Sequence, residues 1–153
     1  MTSLTTSLTH SLPAAIETIS LIHDETCGRI RSTSEAVESE LSQHLDRGER
    51  LELAAAVRDV IDEVSNLYDA KLAAGFFVGF GDPTERCRER VAHLKSDYRR
   101  LLNDLRQTEH EITSGKSRKA RRQMSHWLTR FADVIDHETA LLNELWNSDA
   151  SVE

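Results

Sequence analysis

Proline occurs only at Pro13 and Pro83 in this chain of 153 residues, and three of its six glycines crowd into one stretch, Gly75 to Gly81. Helix-ending residues are thus confined to a few places, and the long intervals between them must form few, extended elements. Hydrophobic periodicity says which kind. After Pro13, which suits the first turn of a helix, Ile16, Ile19, His23, Thr26, Ile30, Val37 and Leu41 fall on one helical face, predicting a helix over 13–44. Asp46, followed three residues later by Glu49, reads as a capping box that opens a second helix. Its stripe is Leu53, Val57, Ile61, Val64, Tyr68 and Leu72, and Gly75 is its stop. Asp82-Pro83-Thr84-Glu85 starts a third helix that aligns Cys87, Val91, Leu94, Tyr98, Leu101 or Leu102, and Leu105, until Ser114-Gly115 breaks it. A fourth, over about 117–147, aligns Met124, Trp127 or Leu128, Phe131, Val134, Glu138, Leu141 and Leu145. Four amphipathic helices with short links predict an all-α, antiparallel up-and-down four-helix bundle over 12–149, preceded by a Ser/Thr-rich tail, 1–11, expected to be disordered.

Charge narrows the partners. The net charge is −7, and residues 1–75 hold the whole excess, with 6 Lys/Arg against 13 Asp/Glu, while the remainder holds 13 of each. That balance argues against a general nucleic-acid binder, which needs positive charge to displace counterions. No basic leader and no run of 18 apolar residues marks the chain for secretion or for a membrane. The two cysteines, Cys27 and Cys87, fall roughly 20 Å apart along the bundle, given the rise per helical residue. They are therefore expected to be unbonded, half-buried thiols of a cytoplasmic protein.

The informative residues are polar side chains on apolar stripes, because an inward polar group costs free energy unless it is paired. His23, Tyr68, Tyr98 and Glu138 are such residues, one on each predicted helix. The bland reading of His23 is a hydrogen-bonded neutral imidazole. The sharper one is a metal ligand, since helical bundles that bind two irons aim carboxylates and histidines at a common centre. His23 alone cannot form such a site.

The segments LIHDET at His23, YDAKLAAGFF on the second helix, HLKSDYRRLL on the third and ADVIDHETALLNELWNSD on the fourth, covering about residues 12–149, resemble those of the hemerythrin-like family, the bacterial HHE cation-binding domains. That family's pattern is a histidine, then His-x-x-x-Glu, then a histidine, then His-x-x-x-Glu or Asp. The resemblance implies that Tyr68, Leu72, Tyr98 and Val134 stand at former ligand positions and that His23 and Glu138 are the two ligands retained. A second register on the last helix would instead place His137 at the histidine and Leu141 at the carboxylate, at the cost of a gap in a continuous helix. The resemblance thus implies a degenerate di-iron site, and with it a non-enzymatic binding, sensing or structural module without cofactor. The alternative is an iron- or zinc-binding or oxygen-responsive protein with a reduced site around His23 and Glu138.

Other features are less specific. Cys27 lies one turn beyond His23, where a core thiol is the plain reading and a soft-metal or redox pair the sharper one. Lys116, Arg118, Lys119, Arg121 and Arg122 crowd the start of the fourth helix against its dipole. They form either a solvated face or a docking site for an acidic protein partner or RNA. Phe76, Phe77 and Phe80 are expected to plug the end of the bundle, or else to gate access to its interior or form a partner contact. The remaining histidines, His10, His44, His93, His110, His126 and His137, read as edge or surface residues. No phosphate loop, nucleophile elbow or hydrolase carboxylate pair is present, so an enzyme is the least supported class, and a monomer or weak dimer is expected.

Overall fold

The second helix begins where its capping box predicts: Asp46 Oδ1 accepts from the Glu49 amide at 2.8 Å, and Glu49 Oε1 accepts from the Asp46 amide at 3.3 Å. The computed structural model describes residues 23–73 and 85–151. They comprise α1, helical over 23–40, then α2 (Arg47–Ala73), α3 (Glu85–Thr113) and α4 (Ser117–Ser151), with no strand among the described residues. The N-terminal tail, the Pro13 helix start, Ile16, Ile19, His10, the phenylalanine loop and the Asp82-Pro83-Thr84 cap lie outside the described residues. So does the side chain of Cys87.

Contacts between helices fix the directions. Arg29 on α1 meets Glu63 on α2 at 3.5 Å, Arg58 on α2 meets Glu109 on α3 at 3.1 Å, and Arg130 on α4 meets Asp104 on α3 at 2.8 Å. Each contact joins the first half of one helix to the second half of its neighbour, as in an antiparallel four-helix bundle. Between α3 and α4 the reversal is a Schellman turn. The Gly115 amide bonds to Ile112 O at 3.1 Å, the Lys116 amide bonds to Glu111 O at 2.9 Å, and Gly115 takes a φ of 79°. A β-carbon is poorly tolerated there.

The core contains Ile30, Val37 and Leu41 from α1, Leu53, Val57, Val60 and Val64 from α2, Leu94, Leu101, Leu105 and Ile112 from α3, and Met124, Trp127, Phe131 and Leu141 from α4. Trp127 stacks on Phe131 with centroids 5.1 Å apart and donates its indole N–H to Leu101 O at 2.9 Å. One ring thus fills volume and ties α4 to α3. Of the paired expectations, Leu101 and Trp127 are the buried members, and Leu102 and Leu128 pack at the margin.

Two details differ from the pattern that periodicity predicts. The first helix ends at residue 40 rather than 44, because the Ser42 and Gln43 amides bond back only three residues, to Ser39 and Glu40. On α2 the residues Leu53, Val57, Val60, Val64, Leu67 and Lys71, alternating steps of four and three, are buried, with Ala54 and Ile61 beside them. Leu72, expected on the inner face, is instead 40% exposed. Lys71 takes its place.

Candidate functional site

One polar side chain from each helix converges level with the middle of α3, on the side away from the α1–α2 and α3–α4 turns. His23 comes from α1, Lys71 from α2, Tyr98 from α3 and Glu138 from α4. Tyr98, Glu138 and Lys71 are buried, at 0%, 2% and 6% exposure, and His23 is partly covered. The Lys71 Nζ is the hub. It donates to Tyr98 Oη at 2.6 Å and to Glu138 Oε1, and it contacts His23 Nε2 at 2.9 Å. Tyr98 Oη in turn donates to Glu138 Oε2 at 2.6 Å. Both carboxylate oxygens therefore have a donor, and the Lys71 nitrogen is surrounded by Tyr98 Oη, Glu138 Oε1 and His23 Nε2. Lys71 Nζ is also 5.1 Å from the Tyr98 ring centroid. Its short contact with the hydroxyl places it beyond the ring's edge, so the hydrogen bond and not the π face holds it.

Electrostatics follow from burial and these contacts. Burial alone would push the Glu138 carboxyl up; the His23 hydrogen bond, the Lys71 charge and hydrogen bond, and the Tyr98 hydroxyl together outweigh it and hold the group below the usual carboxylate range. Lys71 is drawn below the ordinary lysine value, chiefly by burial, with Glu138 opposing. His23 is raised to about 9 by its contacts with Cys27 and Glu138, against burial and the Lys71 charge. The Tyr98 phenol is pushed upward by burial and by Glu138, and stays protonated. The two nitrogens at 2.9 Å can share one proton but cannot both present one. His23 and Lys71 therefore act as a unit that supplies one positive charge to Glu138.

Of the residues singled out by sequence, His23, Tyr98 and Glu138 come together. Tyr68 contributes its ring, tilted 34° against Tyr98 with centroids 5.3 Å apart. Val134 is buried apolar surface one turn from Glu138, and Leu72 faces away. His137 is exposed, while Glu138 and Leu141 are both buried. Cys27 is a free, buried thiol whose Sγ lies 3.7 Å from His23 Nε2 and 3.8 Å from Nδ1. The described histidines His44, His93, His110 and His126 are exposed as well.

The residues do not fit a resident metal. His23 Nε2 and Glu138 Oε1 are 3.5 Å apart, and both contact Lys71 Nζ. A divalent ion held by both would have to displace the Lys71 ammonium against like charge. Among the described residues no group of three or more His, Cys, Asp or Glu is arranged to hold an ion. Lys71 escapes a reading that traces apolar residues from Val64 to Tyr68 and Leu72. Its spacing signal is nonetheless present, in the alternating steps that lead from Leu53 to Lys71.

At the opposite end, Lys116, Arg118, Lys119 and Arg122 line a cleft that also includes His44 and Arg50, while Arg121 is exposed outside it. Glu111, buried on α3, pairs with Lys119 at 3.2 Å and Lys116 at 3.8 Å. No described helix is long and apolar enough to cross a membrane.

Fold and site together define a class: an antiparallel helical bundle whose interior polar centre is a lysine–carboxylate pair braced by a phenol and an imidazole. Compared with family models, with curated proteins and with solved structures, the chain has no match.

Proposed function

We propose that this chain is a non-enzymatic bundle of the hemerythrin-like type in which an internal ammonium, that of Lys71, takes the place of the metal pair. It works as a binding, sensing or structural module in the cytoplasm, as a monomer or weak dimer. One observation carries the reading: Lys71 Nζ sits among His23, Tyr98 and Glu138, one residue from each other helix, where such a bundle would gather its ligands. A cation fixed to the backbone gives Glu138 the counter-charge that an ion would otherwise supply, and needs no metal supply to fold. The free, buried thiol of Cys27 suits a reducing compartment.

The test is metal analysis by inductively coupled plasma, after purification and again after reconstitution with iron, zinc or manganese. The expected content is below about a tenth of an equivalent, as two retained ligands are too few for a tight site. Stoichiometric metal that is lost in both His23→Ala and Glu138→Ala would instead establish a reduced iron- or zinc-binding site.

A further inference from the structure

The protein carries seven more negative than positive charges, yet five of the ten residues that line one cleft are lysine or arginine. Between the α1–α2 turn and the α3–α4 turn lies an open cleft of roughly 470 Å³. Among its lining residues are Arg50, Lys116, Arg118, Lys119 and Arg122, with His44 beside them and, among the described residues, no aspartate or glutamate. We infer that this cleft binds a small soluble polyanion bearing more than one phosphate-type group, with Arg50 as its central contact.

Arg50 carries most of the argument. It is partly buried, its Nε is buried without a hydrogen-bond acceptor, and its guanidinium rests over Gly115, 3.8 Å from where a β-carbon would stand. A guanidinium presents five donors in a planar fork, and removing one from water without an acceptor is unfavourable. An oxyanion in the cleft offers the guanidinium acceptors, of which the described residues give Nε none.

The start of α4 points the same way. The residue before Ser117 is Lys116, whose side chain cannot accept from the opening amides, and the first turn holds no acidic residue. Arg118 and Lys119 there oppose the helix dipole, an arrangement that a bound anion reverses. Two carboxylates compete. Glu111 draws on Lys116 and Lys119 from within the bundle, and exposed Asp46, the cap of α2, lies one turn before Arg50. Arg118 and Arg122 are left to face the cleft from α4, opposite Arg50 on α2. Cations on two sides of such a volume suit a ligand with charge at both ends better than a single compact ion. A long nucleic acid would have to run beyond the cleft over a net-negative surface.

The experiment is isothermal titration of the whole chain at low salt with tripolyphosphate, inorganic phosphate and a short single-stranded oligonucleotide. Tripolyphosphate is expected to bind one to one, and Arg50→Gln is expected to weaken it at least about tenfold. Arg118→Gln with Arg122→Gln, both on the exposed side, gives the same loss should the Arg50 variant fail to fold. Arg58→Gln, which breaks a pair with Glu109 away from the cleft, leaves binding unchanged. The inference is overturned if tripolyphosphate does not bind, if it binds no better than inorganic phosphate, if the oligonucleotide binds more tightly, or if the cleft variants match the wild type.

Discussion

Replacing Lys71 by methionine keeps the length and apolar stem of the side chain and removes only its charge and its three polar contacts. Glu138, 2% exposed, then retains Tyr98 Oη at 2.6 Å and His23 Nε2 at 3.5 Å. Breaking a buried pair by removing one partner costs about 3–5 kcal/mol, because the remaining charge is stranded. His23 can bear a proton in place of the lysine, but its contact to Oε1 is longer, so it compensates in part. For a domain of this size about 3–5 kcal/mol corresponds to a fall of roughly 6–20 °C in melting temperature. Urea unfolding followed by circular dichroism gives the free energy. The decisive comparison is the double variant Lys71→Met with Glu138→Leu, which exchanges the ion pair for apolar contact. It is expected to lie within about 2 kcal/mol of the wild type, well above the sum of the two single losses. A Lys71→Met cost under about 1 kcal/mol, or a double variant whose loss equals that sum, would refute the reasoning.

The same geometry sets further outcomes. Because the native Glu138 carboxyl lies below its ordinary value of 4.5, the stability it confers is full above that pH and is lost as the pH falls through the native value; Glu138→Gln should flatten the acid limb of stability against pH. The ring signals of His23, followed by NMR, should step near pH 9 and not at the ordinary imidazole value of 6.5, since its contacts with Cys27 and Glu138 outweigh burial and the Lys71 charge. A step at 6.5 in the wild type would mean that the contacts with Cys27 at 3.7 Å and Glu138 at 3.5 Å are not formed. Gly115→Ala, at a φ of 79°, should lower stability by about 1–2 kcal/mol in thermal unfolding, and a neutral result would deny the left-handed turn. Trp127→Ala empties the stacked layer and should cost about 3–5 kcal/mol, checked by urea unfolding.

Much of the architecture is legible in the sequence because helix ends are chemical events. Asp46 with Glu49, and Ser114 with Gly115, mark ends that the hydrogen bonds reproduce. The first helix stops short of its predicted end because Leu41 continues the stripe although the chain there has tightened into a turn. In the site, Tyr98 and Glu138 are visible as polar residues interrupting apolar stripes. Lys71 is not, because lysine is the residue type expected at the surface and Leu72 beside it is the apolar one. Neighbouring helical positions differ by about 100° of rotation, so choosing the apolar neighbour moves the reading from the core to solvent. Buried Ser34, Thr108 and Glu111 escape for a related reason: single small or charged residues do not disturb a hydrophobic pattern. Arg50 is hidden differently, since its role depends on two turns distant in sequence meeting at one end of the bundle.

The most direct test of an internal ammonium is NMR of the lysine side-chain nitrogens. The Lys71 Nζ, enclosed by Glu138, Tyr98 and His23, should give a signal protected from hydrogen exchange that shifts in Glu138→Gln. A Lys71 nitrogen that exchanges as fast as those of Lys116 and Lys119, and ignores the change at Glu138, would place its charge in water and contradict the account.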